Sequence, residues 1–92
     1  LVLVDTCAAG VNIAMFSEIN IYPNPTSGKL YVDLPENEIF IISILNMEGK
    51  LILEEREVFN SLTIESEKLI EGSYILRIGN YKGALNQIVI FE

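Results

Sequence analysis

From Ile19 onward, apolar and polar side chains alternate with a period of two. The alternation runs in short stretches, broken about every ten residues by Gly, Pro, Asn and Ser. This pattern constrains the chain more than any other feature. A period of two puts successive side chains on opposite faces of a strand, whereas a helix needs 3.6. No segment carries a helical stripe, and Ser66–Ile70 has room for one turn at most.

The stretches can be read in order. Ile19–Tyr22 ends at Pro23-Asn24-Pro25, whose two prolines remove ladder donors and force an extended, turning backbone. Thr26-Ser27-Gly28 completes that turn. In Lys29–Leu34, residues Leu30, Val32 and Leu34 share one face, with Tyr31 and Asp33 on the other. Residues 35–38 turn. Ile39–Leu45 is apolar on both faces apart from Ser43, which predicts a central, fully buried strand. Asn46-Met47-Glu48-Gly49 reads as a hairpin turn with Gly49 at a positive φ. Leu51–Val58 returns, and its Glu54-Glu55-Arg56-Glu57 marks a solvated or edge segment. After Asn60-Ser61, Leu62 and Ile64 point inward. Tyr74, Leu76 and Ile78 share a face of the next strand, residues 79–83 turn, and Leu85–Phe91 is the last strand. Seven such strands predict an all-β fold, an immunoglobulin-like antiparallel β-sandwich, with a small barrel as the alternative. The chain has no Trp, so the Cys-Trp-Cys core of antibody domains is missing.

The size agrees with one domain. A chain of 92 residues buries only about 60–65% of the surface its unfolded form exposes, so the core is limited. Half the residues are hydrophobic and the mean hydropathy is +0.37, too apolar for a disordered chain. The chain opens on Leu1 rather than Met, and Leu1–Val4 reads as a strand. The expectation is the C-terminal part of a longer polypeptide, with residues 1–18 a linker or the end of a preceding region and residues 19–92 the sandwich.

The net charge of −7 argues against nucleic acid, which needs a basic footprint, and against docking on an anionic membrane. The acids concentrate in residues 36–71, where nine Glu face Lys50, Arg56 and Lys68. That segment reads as a solvated face. There is no His, and Ser or Thr nucleophiles lack a base beside them. No enzyme, cofactor, metal site or small-molecule substrate is expected. Glu36, Asn37 and Glu38 offer oxygens without the Asp-rich spacing of a calcium loop. Cys7 stands alone, a small linker side chain or one half of a bridge to an upstream region. Asn24 precedes Pro25 and so is no glycosylation acceptor.

The order of motifs is more specific. Ile21-Tyr22-Pro23-Asn24-Pro25-Thr26-Ser27-Gly28-Lys29-Leu30 closely resembles the opening motif of the type A C-terminal sorting domains of the bacterial (Bacteroidetes-type) type IX secretion system. The Gly49-Lys50 hairpin, the Gly72-Ser73-Tyr74-Ile75-Leu76 strand and the short apolar closing strand follow in the same order as in that family. The resemblance covers roughly residues 19–92. Where family members carry one or more Lys in and around the last strand, this chain has Gln87 and Glu92, and the nearest Lys is Lys82.

The resemblance implies a non-catalytic secretion signal. Cargo would reach the periplasm, cross the outer membrane through the translocon, and end secreted or on the cell surface. The implied partners are the translocon, a β-barrel shuttle protein and a sortase-like cysteine protease that removes the domain. Cleavage would fall in the small, polar Asp5–Gly10 segment, at Ala8, Ala9 or Gly10. Lys82, Ile88, Val89, Ile90 and Phe91 are the candidate receptor contacts. Tyr22, Pro23, Asn24, Pro25, Gly28, Gly49, Lys50, Gly72, Tyr74 and Leu76 are the recognition or structural motif, with Tyr74 expected as a packed ring whose hydroxyl caps a loop. The other reading is a non-catalytic immunoglobulin-like spacer or adhesion module of a cell-surface protein.

Overall fold

The computed structural model describes residues 18–92. The Leu1–Val4 strand, Cys7 and the Ala8–Gly10 cleavage segment lie outside the described residues. Seven strands follow: β1 (Asn20–Tyr22), β2 (Lys29–Asp33), β3 (Phe40–Asn46), β4 (Leu51–Val58), β5 (Ser61–Glu65), β6 (Gly72–Asn80) and β7 (Gly83–Phe91). The predicted helical turn is a single 3-10 turn, Ser66–Lys68.

The strands form two antiparallel sheets, β1-β2-β5 and β4-β3-β6-β7. Both sheets turn their apolar faces inward, as a two-layer sandwich requires. Leu30 and Val32 of β2 and Ile64 of β5 meet Phe40, Ile42 and Ile44 of β3, Leu76 and Ile78 of β6, and Val89 and Phe91 of β7 in one core. The inward set is every second residue in β2, β6 and the end of β7, as the alternation predicts, while bulged β4 buries only Val58 fully. Burying such a side chain contributes about 1.5–3 kcal/mol, and the core offsets the conformational entropy of a chain this short.

Two expectations need correction. The Ile39–Leu45 strand is central, between β4 and β6, but not buried on both faces: Ile41 is 36% exposed, and Ile39 precedes the strand at 61%. An antiparallel sheet in a two-layer sandwich has only one covered face, so the outward residues of β3 meet solvent. The turn expected at residues 79–83 is shorter. Asn80 pairs with Gly83, which leaves Tyr81-Lys82 as a two-residue hairpin turn. The Asn80 Oδ1 accepts the Lys82 N–H at 2.8 Å and closes it.

The acidic returning strand β4 is an edge, one of the two readings its charges allow. Its pairing with β3 slips between Phe40 and Ile42 and again between Ile44 and Leu45, and Glu57 has φ 56°. Bulges and charges together blunt that edge against further pairing.

Candidate functional site

The Tyr22–Gly28 corner does two things. Both X-Pro bonds, Tyr22-Pro23 and Asn24-Pro25, are cis, and the corner carries the chain from β1 into β2. It also reaches the outer edge of β7. The Asn24 side chain donates to the Ile88 carbonyl at 2.9 Å and accepts the Ile90 N–H at 3.0 Å. Thr26 continues the contact through its backbone. Its N–H donates to the Ile90 carbonyl at 2.9 Å, and its carbonyl accepts the Glu92 N–H at 2.8 Å. The corner therefore stands in for one further strand along the last residues of β7, in a parallel bridge of Thr26 with Phe91.

Thr26 is 1% exposed, and its hydroxyl holds the corner together by donating to the Lys29 carbonyl at 2.8 Å and accepting the Gly28 N–H at 3.3 Å. The Gly28 carbonyl accepts the Ser66 N–H. Pro23 and Pro25 are exposed. The Tyr22 ring lies 5.6 Å from that of Tyr31, and its hydroxyl donates to Asp33 Oδ2 at 2.9 Å. That hydrogen bond, with desolvation and the nearby Asp33 charge adding to it, holds the Tyr22 phenol above its ordinary value.

The second motif forms a hairpin turn. Gly49 has φ 90°, where an L side chain is strained, and its N–H donates to the Asn46 carbonyl at 2.9 Å. The Asn46 Oδ1 accepts the N–H groups of Glu48 and Lys50, both at 2.9 Å. Lys50 itself is exposed. In the third motif, Gly72 begins β6 at φ 147° opposite Phe91. Tyr74 is 8% exposed, its hydroxyl donates to the Ile70 carbonyl, and its ring meets that of Phe91 edge-on at 5.7 Å. This is the packed, loop-capping tyrosine expected from the sequence. Leu76 is in the core.

The five receptor-contact candidates divide. Val89 and Phe91 are 0% and 2% exposed and fill the core; they offer no surface. Ile88 and Ile90 alternate with them, face outward, and are 53% and 40% exposed. Lys82 is in the β6–β7 turn, where its ammonium lies 3.1 Å from Glu38 Oε2 and 5.7 Å from the Tyr81 ring centroid. The Glu38 hydrogen bond raises Lys82 above its ordinary value, against the opposing effect of desolvation.

The structure adds residues that were not singled out in the sequence. Leu51 pairs with Leu45, Leu45 with Ile75, and Ile75 with Ile88, so one apolar row crosses all four strands on the outer face of the larger sheet. Period-two parity combined with the hairpin registers would have exposed it. Thr26 had only its place in a turn to mark it. Among the described residues, no group of His, Cys, Asp and Glu could hold a metal ion, and no helix is long and apolar enough to cross a membrane. The arrangement presents surfaces and strand edges.

Residues 20–92 match the family described as "Secretion system C-terminal sorting domain". The chain belongs to that family. It is a C-terminal sorting signal for type IX secretion, from a family whose domains are not catalytic. Membership places the domain in dealings with the type IX machinery and in export to the outer membrane or cell surface. The fold agrees with a solved structure, that of PorZ, described as an essential bacterial surface component of the type-IX secretion system of Porphyromonas gingivalis. The likeness has a TM-score of 0.70 at 13% identity and covers 86% of this chain but 12% of PorZ. No curated protein sequence matches the chain.

Proposed function

We propose that this sorting domain is the outer-membrane export address of a cargo joined to it upstream. A β-barrel shuttle protein of the outer membrane is its receptor, beside the translocon. A sortase-like cysteine protease then removes the domain. The route runs through the periplasm, and the cargo ends secreted or on the cell surface. The domain itself catalyses nothing. Residues 1–18 serve as the linker, with cleavage at Ala8, Ala9 or Gly10, and residues 19–92 are the part that is recognised.

One observation supports this above the others. The family's most specific motif, Tyr22-Pro23-Asn24-Pro25, grips the closing strand through Asn24, so the two ends of the resemblance form one surface. On that surface Ile88 and Ile90 are the apolar groups offered outward, and Val89 and Phe91 hold the strand in place from behind. A receptor can cover such side chains or extend the sheet.

The test is a transplant. Residues 20–92, and separately residues 1–92, are fused to a folded periplasmic reporter in a bacterium with a type IX system. Reporter at the surface or in the medium, lost in a translocon-null strain, is the expected result. Processing of the longer fusion alone places the cleavage site in residues 1–19. Reporter confined to the periplasm with the domain folded overturns the assignment.

A further inference from the structure

The outer edge of β7 is closed along only part of its length. The Ile88 carbonyl, both backbone groups of Ile90 and the Glu92 N–H are taken by Asn24 and Thr26. Since N–H and C=O of every second residue point to the same side of an antiparallel strand, the groups of Ala84 and Asn86 point the same way. Among the described residues nothing pairs with them, because β7 lies at the end of its sheet with β6 on the other side. Among the described residues, β7 thus has an open stretch of edge, from Gly83 to Ile88, with a built stop at Asn24.

The remaining edges differ. Strand β1 has three residues and β5 has five, too short to template a long pairing. Strand β4 is bulged and carries Glu54, Glu55, Arg56 and Glu57. Strand β7 has nine residues and no charge in any of them. An uncharged, unbulged edge strand is the kind that natural sheets ordinarily protect.

We propose that Ala84–Ile88 is a strand-addition site, at which an extended segment of the export receptor pairs with the backbone of Ala84 and Asn86 and stops at the Asn24 cap. This rests on the sorting assignment above and names how the partner is held. The occupant is a partner segment rather than a second copy, because two chains of net charge −7 repel. Backbone pairing supplies affinity without reading the domain's side chains, and Ile75 and Ile88, which face outward beside the edge, meet the partner's alternate side chains. The Lys that family members carry near this strand, absent here, is then not needed for the pairing itself.

Two measurements on the full chain test it. Amide hydrogen exchange should find Ala84 and Asn86 unprotected and Ile90 protected. Protection of Ala84 and Asn86 at every concentration would mean that the chain covers its own edge. Protection that grows with concentration would mean that a second copy does. Either overturns the proposal. In the export assay, Asn86→Pro deletes an outward N–H that the sheet does not use, whereas Gln87→Pro deletes one that pairs with β6. Asn86→Pro should leave the urea midpoint unchanged and lower export about tenfold or more, the effect of one or two lost strand hydrogen bonds. If Asn86→Pro lowers the midpoint, Ala84→Pro takes its place. Export at the unmutated level by a folded proline variant overturns the proposal. An unmutated reporter left in the periplasm overturns the sorting assignment instead, while the exchange measurement still reads the edge by itself.

Discussion

Asn24 and Ile90, 66 residues apart, are joined as two strands would be. The Asn24 side-chain oxygen takes the Ile90 N–H at 3.0 Å, while its amide nitrogen reaches the Ile88 carbonyl at 2.9 Å. A side-chain amide has the donor and acceptor layout of a peptide group, which is why Asn can cap a strand edge. Asn24→Ala removes both bonds and should cost about 1–2 kcal/mol. In a domain of this size that lowers Tm by about 4–16 °C. Asn24→Asp keeps the acceptor for Ile90 but sets a carboxylate against the Ile88 carbonyl, so it should not rescue. Thermal denaturation of the three proteins checks this.

Tyr74 separates packing from capping. Tyr74→Phe keeps the edge-on contact with Phe91 and loses the hydroxyl that caps Ile70. Its expected cost is about 1 kcal/mol. Tyr74→Ala loses both and should cost about 3–5 kcal/mol, a large share of a small domain's stability. Urea titration reads the two apart.

The closing strand should show a two-sided mutational pattern. Phe91→Ala opens a cavity in the core and should cost about 3–5 kcal/mol. Ile88→Ser, on the exposed side, should change stability by no more than about 0.5 kcal/mol. Its effect should fall on export. Equal losses of stability from both would contradict the alternation.

Gly49→Ala meets a backbone at φ 90° and should cost about 1–2 kcal/mol without touching export once the domain is folded. Lys50→Ala, at an exposed position, should leave the denaturation midpoint unchanged. A folded Lys50→Ala domain that loses export would assign Lys50 to recognition.

Alkaline pH should weaken the fold at two points. The Tyr22 phenol and the Lys82 ammonium both titrate above their ordinary values in the folded protein, chiefly through Asp33 and Glu38. A raised folded pKa means that the folded state holds its proton more tightly, so each contribution is whole below the unfolded value and is lost as pH rises through the folded one. Both losses fall above about pH 10. Tyr22→Phe and Lys82→Met should each flatten part of the fall in stability, measured by urea titration across that range.

The strands were legible in the sequence because one covered face per sheet writes a period of two into each of them. Ile41 departs from that legibility, because an apolar side chain on the open face looks, in sequence, like one on a covered face. The short Tyr81-Lys82 turn was hidden because Gly79 and Gly83 read as breakers although both belong to strands. The sequence groups Val89 and Phe91 with Ile88 and Ile90 as receptor contacts, and parity divides them. The Asn24–Ile90 bond had no local signature, since only the three-dimensional return of the chain brings the two together.

That return has a consequence for biosynthesis. Phe91 completes the core, and the corner at Thr26 finds its partners only at Ile90 and Glu92. The domain therefore depends on contacts between residues far apart in its sequence, which form only once β7 has been made. A chain cut before Ile88 loses Val89 and Phe91 from the core and the partners of Asn24 and Thr26 at once. Such a truncated domain should show no cooperative thermal transition, so the fold itself reports whether the last strand is present.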